Sequence, residues 1–109
     1  MANSILEIKD KDFYQEVIKS EKPVIVDFYT SWCGPCKILM PELEKLSQDY
    51  LNKVKIVKIN VEKSTQTPTQ FGIMGVPNIL FFREGKIVDQ IASGATTEKI
   101  KKVIENKLI

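Results

Sequence analysis

Residues 24–37 read Val24-Ile25-Val26-Asp27-Phe28-Tyr29-Thr30-Ser31-Trp32-Cys33-Gly34-Pro35-Cys36-Lys37, an apolar run with one carboxylate inside it and then a turn holding both cysteines of the chain. A continuous run such as Val24 to Tyr29 is the pattern of a strand buried on both faces, usually at the centre of a sheet. Beyond the cysteines, Ile38-Leu39-Met40, Leu43 and Leu46 recur at helical spacing, so Cys33 sits where a helix begins. Strand, turn and helix in that order place the cysteine pair at the carboxyl end of a central strand, where open α/β sheets carry their sites.

Two residues between cysteines let the sulfurs meet across one turn, closing and reopening a small disulfide with little backbone movement. The loop so closed is too short to take much entropy from the unfolded chain, which makes the pair a poor staple. A helix N-terminus presents unpaired N–H groups and about half a positive charge, favouring the thiolate of Cys33, and thiolate is the form that attacks disulfides. Pro35 brings a helical φ to the first turn and has no N–H to leave unpaired, while Gly34 leaves room for another backbone. Cys36, one turn in, is the more buried sulfur. A structural disulfide and half of a zinc site are the competing readings; zinc usually takes four ligands, and this chain has two cysteines and no histidine.

The chain's 109 residues, 43% of them hydrophobic, suit one domain, residues 1–109, with a core able to fold without staples. Its 16 basic and 14 acidic residues leave a net charge of +2, and every base but Arg83 is a lysine scattered along the chain. That pattern is a solvated surface and no nucleic-acid footprint. Met1-Ala2-Asn3-Ser4-Ile5 carries neither a basic segment nor an apolar run, and no stretch nears the ~20 apolar residues of a membrane span. A cytoplasmic location follows as an expectation, and in reducing surroundings a Cys-x-x-Cys pair is catalytic or metal-binding more often than a permanent bridge.

In chain order, Ser4 to Ile8 reads as a short edge strand, with Ile5 and Ile8 set against Leu6. Asp12 is the expected N-cap of the next helix with Gln15 as its capping-box partner, and Phe13, Val17 and Ile18 share a face. The helix from about Cys33 to Tyr50 carries Leu39, Leu43, Leu46 and Tyr50 as its apolar stripe, with Pro41 predicted to kink it. Lys53 to Val61 is a second strand, with Val54, Ile56 and Lys58 on one face and Val57 and Ile59 on the other. Thr67-Pro68 opens a short helix that Gly72 closes. Asn78 to Arg83 and Lys86 to Ala92 form a hairpin around Glu84-Gly85, and Thr97 caps a last helix with Ile100, Val103, Ile104 and Leu108 inward. The order βαβαβαββα predicts an α/β domain: a central mixed sheet flanked by helices on both faces.

Six further positions bear on the site. Asp27, between hydrophobic neighbours, is a buried carboxylate whose pKa burial should raise into the range useful for proton transfer near neutral pH. Lys58 interrupts the apolar face of the next strand and could reach Asp27, or only snorkel to solvent. Pro77, at the start of a strand, could be an edge-tolerant proline. Gly75 and Gly94, next to strand ends, would let a foreign backbone approach, and Val76 before proline is biased to an extended form whose N–H and C=O could pair with a substrate strand.

Trp32-Cys33-Gly34-Pro35-Cys36-Lys37, with Val26-Asp27-Phe28 before it and Pro41, Gly75-Val76-Pro77 and Gly94-Ala95 after it, resembles the active-site pattern of the thioredoxin family over essentially the whole chain. The resemblance implies the thioredoxin fold and a thiol–disulfide oxidoreductase that reduces protein disulfides through a reversible Cys33–Cys36 pair. It implies that Asp27 helps to deprotonate Cys36, that Lys58 tunes the charge of Asp27, and that the Val76–Pro77 bond is cis and lies beside the disulfide. Trp32, Gly34, Pro35, Gly75, Val76, Pro77, Gly94 and Ala95 then line the substrate groove, with Ile73 and Met74 on its apolar rim. The implied partners are protein disulfides and, as electron donor, a thioredoxin reductase; the expectation is a monomer that needs no cofactor and no metal and binds neither nucleic acid nor membrane. Two residues depart from the family pattern: Asn78 stands where threonine is usual, and Tyr29 where many members have a second tryptophan. An oxidase or isomerase of the same fold, and a non-enzymatic binding or assembly subunit, are the alternative readings.

Overall fold

A computed structural model of the chain describes residues 5–109. Its sheet has the strand order β1-β3-β2-β4-β5, with β1 Leu6–Glu7, β2 Val24–Tyr29, β3 Lys55–Asn60, β4 Asn78–Arg83 and β5 Lys86–Ile91. The first three are mutually parallel, and β4 and β5 run antiparallel to their neighbours. The run Val24 to Phe28 is buried throughout because β2 is the middle strand, with partners on both edges and layers on both faces.

The period-2 alternation of the strands divides the core. Ile25, Ile56, Ile79 and Phe81 point to one side, where they meet Leu39, Leu43 and Leu46 of α1 (Gly34–Asp49), Ile100 of α3 (Thr97–Val103), and Ile104 and Leu108 of the turn that follows. Val24, Val26, Phe28, Val57, Ile59, Leu80 and Phe82 point to the other, against Phe13 and Val17 of the N-terminal helical segment, with Phe71 packed alongside. There Phe13, Phe71 and Phe82 meet pairwise at 5.4–5.7 Å between ring centroids, tilted or edge to face, the arrangement that aromatic quadrupoles favour.

The edge strand forms, with Ser4 outside the described residues, but Ile5 and Ile8 do not share a face: Ile5 joins the α1 side of the core and Ile8 the opposite side. Three helix starts also differ from the sequence expectation. Asp12 lies inside a 3-10 turn, Asp10–Asp12, and its carboxylate accepts the Lys9 N–H at 3.0 Å, so the start is set one turn earlier. The short helix α2 is Gln66–Gln70 and places Thr67 and Pro68 inside it; its free N–H groups at Gln66 and Thr67 are satisfied by Asp10, at 3.1 and 2.8 Å. The cap of α3 is Thr96, whose hydroxyl accepts the Lys99 N–H at 3.2 Å, whereas the Thr97 hydroxyl donates to Glu42. Gly72 closes α2 as expected, at φ 66°, with Ile73 donating back to the Pro68 carbonyl at 2.8 Å.

Among the described residues no helix is long and apolar enough to cross a membrane.

Candidate active site

At the carboxyl end of β2 the chain turns and Cys33 becomes the N-cap of α1, in an extended conformation that its successors leave at once for the helix. Pro35 occupies the first turn, where its missing N–H costs nothing. The Cys33 sulfur accepts the Cys36 N–H at 3.1 Å, and the Cys33 carbonyl accepts the Lys37 N–H at 3.1 Å. An N-cap side chain in this place normally offers oxygen to a free helix N–H; here it is the sulfur that takes the partial positive charge of the helix end. Cys33 and Cys36 are joined as a disulfide with Cα atoms 5.2 Å apart. Cys36 is 2% exposed, while Cys33 is only partly buried. Solvent and partner therefore meet Cys33 first.

Asp27, two residues before the end of β2, is fully buried, and neither of its carboxylate oxygens has a hydrogen-bond partner in the protein. Burial pushes its pKa from 3.8 to about 7, against the opposing pull of the Lys58 charge. Asp27 and Lys58 are direct partners in the parallel register of β2 and β3, so the two side chains leave the sheet on the α1 side together. A cavity of about 210 Å³ opens on that side, lined by Tyr29, Thr30, Ser31, Cys36, Lys37, Met40 and Lys58. It is large enough to admit water beside the buried sulfur of Cys36.

Val76–Pro77 is cis, as the family pattern implies. Val76 and Pro77 are half-buried, and a side chain added at Gly34 or Gly75 would meet nothing within 4 Å. Gly94 has φ 66°, a left-handed conformation that glycine adopts without strain. Pro35 and Ala95 share a second groove with Ile38, Leu39 and Thr96, which brings the start of α1 and the Gly94–Ala95 loop to one surface. Trp32 is 77% exposed and Met74 95%, so both are open to a partner and contribute little to the core.

Sequence reasoning missed three contributors. Ile38, 77% exposed, belongs to that second groove. Gln90 of β5 donates to the buried Asn78 side chain at 3.0 Å, which gives the unusual residue after Pro77 a polar partner. Glu7 of β1 faces Lys58 in register, and nothing local in a two-residue strand announces that. Among the described residues no group of three or more His, Cys, Asp or Glu could hold a metal ion.

The family model described as Thioredoxin matches residues 4–106 of the chain. A thioredoxin of Chlorobaculum thiosulfatiphilum is 39% identical over 107 residues, 98% of this chain and 99% of that protein. The thioredoxin of Acidithiobacillus ferridurans is 41% identical over 87 residues, 80% of this chain and 81% of its own length. That of Haemophilus influenzae is 42% identical over 86 residues, covering 79% and 80%.

Proposed function

The chain belongs to the thioredoxin family and is a protein-disulfide oxidoreductase built on the Cys33–Cys36 pair, and from that premise we propose how its residues divide the work. The observation that carries the division is the Cys33 sulfur held at the N-cap of α1, accepting the Cys36 N–H. The same N–H and helix-end field stabilise Cys33 as thiolate once the pair is reduced.

Cys33 thiolate attacks one sulfur of the substrate disulfide, forming a Cys33–substrate bond and expelling the other substrate sulfur as thiolate, which takes a proton from solvent. Cys36 then gives its proton to Asp27 through water, and its thiolate attacks the Cys33 sulfur. The Cys33–Cys36 disulfide forms as the mixed disulfide breaks, and the second substrate thiolate leaves. That thiolate also takes a proton from solvent, and Asp27 returns the Cys36 proton to solvent, so the substrate has gained two electrons from the pair and two protons from solvent. Asp27 suits this role because its pKa of about 7 lets it both accept and return a proton near neutrality. Lys58 adjusts that value through its charge.

An extended substrate segment lies between Trp32, Gly34 and Pro35 on one side and Gly75-Val76-Pro77 and Gly94-Ala95 on the other, pairing with the Val76 backbone. Open space at Gly34 and Gly75 supports this placement. Family membership implies a reductase that returns electrons to the pair; we assign that role to a thioredoxin reductase and place residues 1–109 as a single monomeric domain in electron transport in the cytoplasm, without nucleic-acid or membrane partners. A reducing compartment is what keeps such a pair turning over. Trapping tests the scheme: Cys36→Ser should accumulate a mixed disulfide with a protein substrate through Cys33, while Cys33→Ser should accumulate none and fail to reduce insulin. A trapped peptide that leaves the Val76 backbone unpaired would overturn the groove.

A further inference from the structure

Around Asp27 the charged and titratable groups on the α1 side of the sheet are Lys58 from β3, Glu7 from β1, Tyr29 from β2 itself, and Cys36 and Lys37 from α1 at the cavity; the β4 residue in register with Asp27 is the apolar Ile79. Glu7 pairs with Lys58, and Lys58 with Asp27, so three charged residues stand in one cross-strand row with the cation in the middle. Side chains in register on parallel strands leave the same face of the sheet, within reach of one another. Lys58 thus has a buried carboxylate on one side and a solvent-exposed one on the other.

The ammonium is not bonded to the buried one. Asp27 has no hydrogen-bond partner, and Lys58 Nζ lies 5.6 Å from the centre of the Tyr29 ring, at cation–π distance. Tyr29 also feels Glu7: burial first, and then the neighbouring Glu7 carboxylate, push the phenol up to about 12. The ring and the outer carboxylate together give Lys58 a second place to put its charge.

We propose that Glu7 and Tyr29 are positioning residues that hold the Lys58 ammonium toward the outer end of the row, leaving the Asp27 carboxylate without a partner and able to take the Cys36 proton. The inference gives Tyr29 a task at the position where many family members carry tryptophan: its ring faces the Lys58 ammonium. It rests on Asp27 acting as the base, and the experiment separates the two.

The carbon-13 titration of the Asp27 carboxyl in the oxidised protein should move to lower pH in Glu7→Gln, by on the order of half a pH unit, because Lys58 is released toward Asp27 and a like charge is removed. Tyr29→Leu should move it the same way, and Tyr29→Phe, which keeps the ring, by less. The acid limb of the pH profile for insulin reduction should follow these shifts. In a Lys58→Met background, where the Asp27 titration itself moves to higher pH, Glu7→Gln should shift it much less, since the intermediary is gone. An unmoved titration in Glu7→Gln, or an equal shift in both backgrounds, overturns the inference. If Asp27→Asn keeps the acid limb, the base assignment fails, while the carboxyl titration still judges the row.

Discussion

Asp10 caps a helix that begins 56 residues after it: its two carboxylate oxygens accept the N–H groups of Gln66 and Thr67, the latter at 2.8 Å. Its own N–H donates to the Ser64 hydroxyl at 3.2 Å. One residue in the turn after β1 therefore fastens the segment that leads to Gly75-Val76-Pro77, and α2 needs no cap of its own.

Asp10→Ala should destabilise the protein by about 1–2 kcal/mol, the range of a lost N-cap, and Asp10→Asn by less. Burial pulls the Asp10 pKa upward, but the hydrogen bonds from Thr67 and Gln66 outweigh it and hold the carboxyl below its usual range. A group depressed in the folded state stabilises above its unfolded pKa of about 3.9 and loses that contribution as pH falls through the folded value. Urea titrations of wild type and Asp10→Ala should therefore differ most above pH 5 and converge in strong acid.

Asp27→Asn should behave oppositely. A carboxyl raised to about 7 in the folded protein favours folding most below its unfolded pKa and loses stability as pH rises from about 4 to 7. The variant should gain about 1–4 kcal/mol over wild type at pH 8 and nothing at pH 4. Its insulin reduction at pH 7 should fall by roughly tenfold or more. A variant less stable than wild type at pH 8 would show that the carboxylate has a partner in the folded state.

Reduced protein treated briefly with iodoacetamide should be modified at Cys33 first, because Cys36 is 2% exposed and Cys33 is within reach of solvent. Peptide mapping reads the order directly. Label appearing first on Cys36 would exchange the roles of the two sulfurs.

Glu84 and Gly85 have φ of 53° and 78°, the paired positive values of a type I′ hairpin turn. Glu84→Asn should stabilise by about 0.5–1 kcal/mol, since asparagine tolerates the left-handed region better than glutamate. Gly85→Ala should cost about 1–2 kcal/mol for the same reason, and more because the new methyl would stand 3.0 Å from the Ile18 carbonyl oxygen. Thermal unfolding of the two variants checks both signs, with reduction activity unchanged in Glu84→Asn.

Much of the site was legible without coordinates. The apolar run ending at Tyr29, the cysteine spacing and the helical recurrence of Leu39, Leu43 and Leu46 are local patterns, and local patterns place a sulfur at a helix start wherever the rest of the chain goes. Asp27 could be read as buried because its immediate neighbours are all apolar. The helix starts were less legible at α2 and α3: Thr67-Pro68 and Thr97 have the right chemistry for caps, but Asp10 and Thr96 fill those places.

By itself, then, the sequence determined the strand–turn–helix at Val24 to Leu46, the sulfur pair at its centre and the alternation that splits the core into two faces. Each depends on residues a few positions apart, whose relative placement the backbone periods set. Tertiary structure decided which strand lies beside which, and with it that Glu7, Lys58 and Asp27 share one row, that Asp10 reaches Thr67, and that Gln90 meets Asn78. Those partners are 12 to 57 residues apart in the chain, or on strands whose pairing follows from burying both faces of β2 at once. No local pattern carries that, because register across strands is a property of the whole packed sheet.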